Sequence, residues 1–252
     1  MNNNYNNDDF SSDWNAPNTT INYDRETQPF YSDTFESSKD SILSRVFLWM
    51  TAGLGLSAIA ALTSFKIFGM ALFTAPVFYG LIIAELVLVL VFSRKITTLS
   101  ATAAKLIFIA YSVINGITLS CIFFVYEIGS IYITFFITSS MFAVAAIYGK
   151  VTKQDLSGIG TYLVMGLWGL IIAGTINMIL HSSGLEFFTS FIGVIIFVGL
   201  TAYDVNRLKD LAVQGGNEES VQKIAIWGAL QLYLDFINLF LRLLRFFGKR
   251  RR

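Results

Sequence analysis

The sequence predicts an all-α integral membrane protein: a seven-helix bundle with the C-terminal helix at its centre. Three observations predict it. Of the 252 residues, 54% are hydrophobic and 14% charged, where a soluble domain carries about a quarter charged residues. Seven apolar segments succeed one another at roughly 46–65, 70–92, 103–126, 130–149, 158–180, 187–206 and 224–246. At ~1.5 Å per residue each is of the length needed to cross a ~30 Å hydrocarbon core as a helix. The last segment carries its polar residues in one line. Gln231, Asp235, Asn238, Arg242 and Arg245 follow at steps of four, three, four and three, a single stripe down one helical face. A charge at the bilayer centre costs at least a few kcal/mol, so this stripe faces other helices or a water-filled cavity, and the other six helices surround it.

Residues 1–40 precede the first segment. They are rich in Asn, Asp, Ser and Thr, show no apolar periodicity and carry eight acids against two bases. They read as a disordered, acidic cytoplasmic tail rather than a cleavable signal peptide. Residues 41–248 form the transmembrane domain and 249–252 a basic C-terminal tail. Small residues recur inside the segments: Gly53 and Gly55 in the first, Gly116 and Ser120 in the third, Gly166, Gly169 and Gly174 in the fifth, Gly193 and Gly199 in the sixth. They let membrane helices approach closely. No internal repeat supports an inverted-repeat transporter. With one cysteine, Cys121, and one histidine, His181, the chain can form no disulfide within itself and lacks the ligands of a His/Cys zinc site. Cys121 reads as a packing residue and His181 as a turn residue. Nothing resembles a nucleic-acid module.

Lys and Arg near the segment ends orient the chain. Arg45 precedes the first segment. Arg94, Lys95 and Lys105 follow the second, Lys150 and Lys153 the fourth, and Arg207, Lys209 and Lys223 the sixth; the alternate loops hold Lys66 alone. The N-terminus is therefore placed in the cytoplasm. Seven crossings then leave Lys249 to Arg252 outside, against the rule. Either the last segment is re-entrant, or it spans fully and the tail is an exception. Its length and unbroken stripe favour the full span.

The intramembrane ionisable residues are Glu85, Asp204, Asp235 and Arg242, with Asn115, Asn177 and Asn238 as polar amides. Glu85 is nine residues from Arg94, Asn115 ten from Lys105 and Asp235 twelve from Lys223, which puts all three ~14–18 Å from the cytoplasmic ends. Asp204 is shallower. Two arrangements fit this spacing. Asp204 can pair with Arg207 or Lys209, and Asp235 with Arg242, leaving Glu85 protonated. Alternatively Asp204 and Asp235 meet beneath the membrane surface and share one proton, since two carboxylates at hydrogen-bond distance do not both ionise easily. Deprotonated, such a pair offers the hard oxygens that calcium prefers.

Two strings carry more than composition. LQLYLDFINLFLRLLRFFG (Leu230 to Gly248) and GLTAYDVNRLK (Gly199 to Lys209) resemble the Bax inhibitor family, also called the transmembrane BAX inhibitor motif family. Glu85 after its apolar run and NGITLS (Asn115 to Ser120) fit as well, and the resemblance covers roughly residues 40–248. It implies a bundle of six helices around a C-terminal one, and a passive, pH-sensitive calcium leak gated by the pair Asp204 and Asp235. It further implies that Glu85 is the acid of the second helix; Asn115, by its depth, and Asn238 and Arg242, by their place on the stripe, are candidates for pore or supporting residues. A basic residue at the end of the second helix, Arg94 or Lys95, would latch the closed state. Calcium, held by Asp204, Asp235 and Glu85, is the expected ion, and no other cofactor is implied. A membrane-embedded regulator of proteases or stress partners is the alternative. An intramembrane aspartyl protease is disfavoured, because Asp235 stands in Leu-Tyr-Leu-Asp rather than Gly-x-Gly-Asp. The expected partners are the lipid bilayer, calcium, protons and other membrane proteins, and the expected location is a bacterial inner membrane.

Overall fold

Seven helices long and apolar enough to cross a membrane make up the computed structural model, which describes residues 27–214 and 217–251. The order is α1 (Thr27–Ile67), a 3₁₀ stretch (Gly69–Phe73), α2 (Ala75–Lys95), α3 (Ala101–Leu119), α4 (Ile122–Val125), α5 (Ile128–Val151), α6 (Ser157–Leu180), α7 (Ser183–Gln214) and α8 (Glu218–Phe247). The short α4 continues α3 after a turn at Ser120–Cys121, and the two together form the third span.

The helix ends have local causes. Pro76 sits in the first turn of α2, where its missing N–H is no loss. Ser100 caps α3 by accepting a hydrogen bond from Ala103 N at 3.2 Å. Asn217 caps α8 by accepting one from Ser220 N at 2.8 Å, and Glu218 and Glu219 lie in the first turn, where the helix dipole favours acids. His181 ends α6 in the left-handed region (φ 50°) and is exposed, the turn role expected of it.

One predicted boundary moves. Helix α1 starts at Thr27, so residues 27–40 are helical rather than a disordered tail. No glycine or proline lies between residues 30 and 52, and extending an existing helix costs far less than nucleating a new one. Residues 1–26, the rest of the predicted tail, lie outside the described residues.

The last segment is an uninterrupted 30-residue helix, so the re-entrant alternative fails. The charges that argued for re-entry are accommodated at the far end of the bundle. Lys249 Nζ lies 3.1 Å from Glu127, and Arg250 is 3.7 Å from Glu186. The backbone joins in: Glu127 N donates to Lys249 O at 2.9 Å, Arg251 N to Val125 O at 2.9 Å, and Lys249 N to Ser130 Oγ at 2.8 Å. The tail is thus strapped across the α4–α5 connection, away from the basic loops.

Burial is graded. Two-thirds of the apolar window of α8 (67%) is buried, against 6% for α2 and for α6. The last helix packs on α3, α5 and α7. Small residues permit two of the closest approaches. A Cβ on Gly116 would lie 2.4 Å from Ser57 O on α1, and one on Gly149 would lie 2.3 Å from Ala202 O on α7.

Candidate functional site

The predicted stripe of α8 faces α7. Asp235 is buried, Gln231, Asn238 and Arg242 are half-buried, and Arg245 is exposed at the end. The stem of Arg242 fills the space where Gly193 of α7 has no side chain; a Cβ there would be 2.9 Å from Arg242 Cδ. Asn238 Nδ2 donates to Leu234 O at 2.8 Å, so its amide is spent within its own helix.

Gln222, near the start of α8, receives Lys105 Nζ at 3.0 Å, and more than three turns further on the helix lies in the core. There the carboxyl of Asp235 meets that of Asp204 from α7, within hydrogen-bonding reach. Both residues are buried, at 6% and 8% exposure, and Asp235 Oδ2 has no hydrogen-bond partner. Arg207, one turn from Asp204, supplies the nearby positive charge, and its guanidinium lies 5.2 Å over the Trp227 ring. Arg207, Trp227 and Lys223 line a cavity of about 400 Å³, closed on another side by Ile96 and Thr97 just beyond α2. The latch candidates Arg94 and Lys95 are exposed in the last turn of α2, next to that cavity. Lys209, the other cation considered for Asp204, donates from Nζ to Lys150 O (2.9 Å) and Thr152 O (3.0 Å) at the end of α5.

Glu85 and Asn115 do not join this pair. They belong to a second cluster on the other side of α8. Asn115 Nδ2 on α3 donates to Glu85 Oε2 on α2 at 3.1 Å. The fully buried Tyr233 of α8 donates its hydroxyl to Asn115 Oδ1 at 2.8 Å, and the same hydroxyl lies 2.6 Å from Ser57 Oγ on α1. Tyr111 and Phe108 stack edge-on against the Tyr233 ring at 5.8 and 6.0 Å. Four helices are joined by one chain of polar atoms, which leaves Glu85 Oε1 as its buried atom without a partner. Tyr233 and Asp235 are two residues apart, hence ~200° around the helix, and this explains the separation.

The calcium set expected from Asp204, Asp235 and Glu85 is therefore not assembled: among the described residues no three His, Cys, Asp or Glu side chains converge on one point. Helix geometry puts Glu85 against the wrong face of α8. Sequence reasoning also passed over Tyr233 and Ser57. A buried Tyr in a membrane helix needs a partner for its hydroxyl, and that was the available signal.

A helical bundle with seven helices long and apolar enough to span a membrane, and with buried acids on its last two helices, defines the class: a polytopic membrane protein. The chain belongs to the Bax inhibitor family. The family model described as "Inhibitor of apoptosis-promoting Bax1" matches residues 39–252. The inner membrane protein YbhL of Escherichia coli K12 is 47% identical over 215 residues, covering 83% of this chain and 92% of that protein. A Borreliella burgdorferi protein is 42% identical (84% and 94% covered), and the protein RP147 of Rickettsia prowazekii 39% (86% and 93%).

Proposed function

We propose that this protein is a pH-sensitive cation leak channel, with calcium as its cargo, gated by Asp204 and Asp235. The observation that carries the reading is the meeting of two buried carboxyls from α7 and α8, with Asp235 Oδ2 unpartnered. At low pH one proton bridges the pair and holds the two helices together. As pH rises the proton leaves, and two unit charges ~4 Å apart repel by about 4 kcal/mol at an effective dielectric near 20. That is enough to shift a balanced two-state gate by more than tenfold. The freed oxygens then meet a passing cation; the cavity lined by Arg207, Lys223 and Trp227 lies about one helical turn along α7 from Asp204. The sign is definite: conductance increases with pH. The concentration of Lys and Arg at one end supports an N-terminus in the cytoplasm, and the YbhL name supports an inner membrane.

The test is calcium flux into liposomes at several pH values, for wild type, Asp204→Asn and Asp235→Asn. The expected result is a leak that grows as pH rises and loses its pH dependence in either variant. A folded wild type that conducts at no pH overturns the reading. In that case the second reading, a membrane-embedded regulator acting through a protein partner, gains; the family description, inhibitor of apoptosis-promoting Bax1, names a protein target.

A further inference from the structure

We propose that Arg242 sets the ion selectivity of the path, as a fixed positive barrier in its outer half that holds back divalent cations more than monovalent ones. The inference rests on the channel reading and adds to it a residue outside the carboxyl pair.

Helix geometry puts Arg242 on the line an ion takes beyond the pair. It follows Asp235 by seven residues, ~20° away around α8 and ~10 Å further along it. On α7, Gly193 precedes Asp204 by eleven residues, again ~20° apart. The two helices therefore meet twice on the same faces, at the carboxyl pair and where the stem of Arg242 lies against Gly193. Gly193 is itself buried, so the stem runs between the helices rather than out into lipid. Ser190, one turn outward on α7, is buried at 1% exposure, and its Oγ has no hydrogen-bond partner. A buried hydroxyl in that state marks a place for a water or an ion. Polar groups thus continue along the seam on the outer side of the pair.

Arg242 stands there without a counter-charge. Among the described residues its guanidinium has no hydrogen bond and no acid partner. The acids at that end of the bundle are engaged elsewhere, Glu127 by Lys249 and Glu186 by Arg250. Arg245, one turn further on, adds a second positive charge. A half-buried charge is screened by salt much less than an exposed one, and an arginine in a pore is a barrier to cations. Coulomb repulsion is proportional to the charge of the ion. A barrier that slows a monovalent cation by some factor therefore slows a divalent one by the square of that factor. The ratio of the two rates does not depend on how often the gate is open, which separates the part played by Arg242 from that of the carboxyl pair.

The test is calcium and potassium flux into liposomes holding the full chain, at the pH of greatest wild-type leak, for wild type, Arg242→Met and Arg242→Lys. Methionine keeps an unbranched stem against Gly193 and removes the charge. The expected result is a gain of about threefold for potassium and, by the square, about ninefold for calcium, so that the calcium-to-potassium ratio rises about threefold. Arg242→Lys, which keeps the charge, should hold the ratio close to that of the wild type. Equal gains for both ions in Arg242→Met would report loosened packing and overturn the barrier. So would a ratio that neither variant moves, or one that both variants raise alike. If Arg242→Met does not fold, Arg242→Gln carries the same decision. A folded wild type that conducts neither ion overturns the channel reading and the barrier with it; a conducting wild type whose ratio survives the loss of the charge overturns the barrier alone.

Discussion

The two sides of α8 hold polar groups in opposite ways. On the side facing α1, α2 and α3, hydrogen bonds link four helices: Tyr233 serves Asn115, Asn115 serves Glu85, and Ser57 stands beside the phenol, with Glu85 Oε1 left over at the end of the chain. On the side facing α7, two acids meet with no amide or hydroxyl between them, and one oxygen is orphaned. The difference teaches which side holds and which side moves. A hydrogen-bonded network resists separation, because each broken bond leaves a further buried group unpaired. A carboxyl pair is cohesive only while it keeps a proton. Under the proposed gating, one helix would carry a fixed seam on one side and a switchable seam on the other.

This contrast can be broken by experiment. The largest effect on stability should come from Asn115→Leu, which strips a partner from both Glu85 and Tyr233. At about 1–3 kcal/mol per orphaned group, the loss should be about 2–4 kcal/mol, seen as a lower thermal unfolding midpoint in detergent. Tyr233→Phe keeps the ring and removes the hydroxyl, and should cost about 1 kcal/mol. Asp235→Asn should leave the midpoint within about 1 kcal/mol of wild type at neutral pH, since the new amide can donate to Asp204; a loss as large as that of Asn115→Leu would show that both seams are structural.

The smallest effect is a control at Asp155. Its carboxyl accepts from Ser157 N at 2.8 Å at the start of α6, and the Ser157 hydroxyl and backbone N–H hold it below the usual carboxylate range. A lowered pKa stabilises the fold above the unfolded value and stops doing so as pH falls through the folded one. Asp155→Asn should therefore cost a little at pH 7 and nothing in strong acid, by thermal melts, and should leave the pH profile of flux unchanged. A shifted flux profile in that variant would mean that the switchable seam is not where pH is read.

Much of this was legible in the sequence. Hydropathy located every span, with ends that move by six to eight residues at the start of α2, the end of α7 and the start of α8 and more where α1 runs back to Thr27, because polar composition hides helix that is propagated from a neighbouring apolar stretch. The stripe of α8 was legible from spacing alone, and it does face another helix. Spacing along one chain could not say which helices meet, so Glu85 and Asn115 were placed at the right depth without their partner Tyr233. Ser57 carried no signal at all, since a serine among alanines and leucines reads as a small packing residue. The fate of Lys249 to Arg251 was hidden for a related reason: the charge rule counts cations and does not see Glu127 and Glu186 at the starts of α5 and α7.

The long reach of α8's contacts has a consequence in time. Tyr233 lies 118 residues after Asn115 and 176 after Ser57, and Lys249 lies 119 after Ser130. At ~5–20 residues per second of synthesis, the amide of Asn115 waits roughly 6–24 s for its phenol. By the end of that interval six spans have been made, and the amide of Asn115 still lacks its phenol. The nascent chain is most exposed to quality-control proteases in those seconds, and it is the final thirty residues that end the exposure.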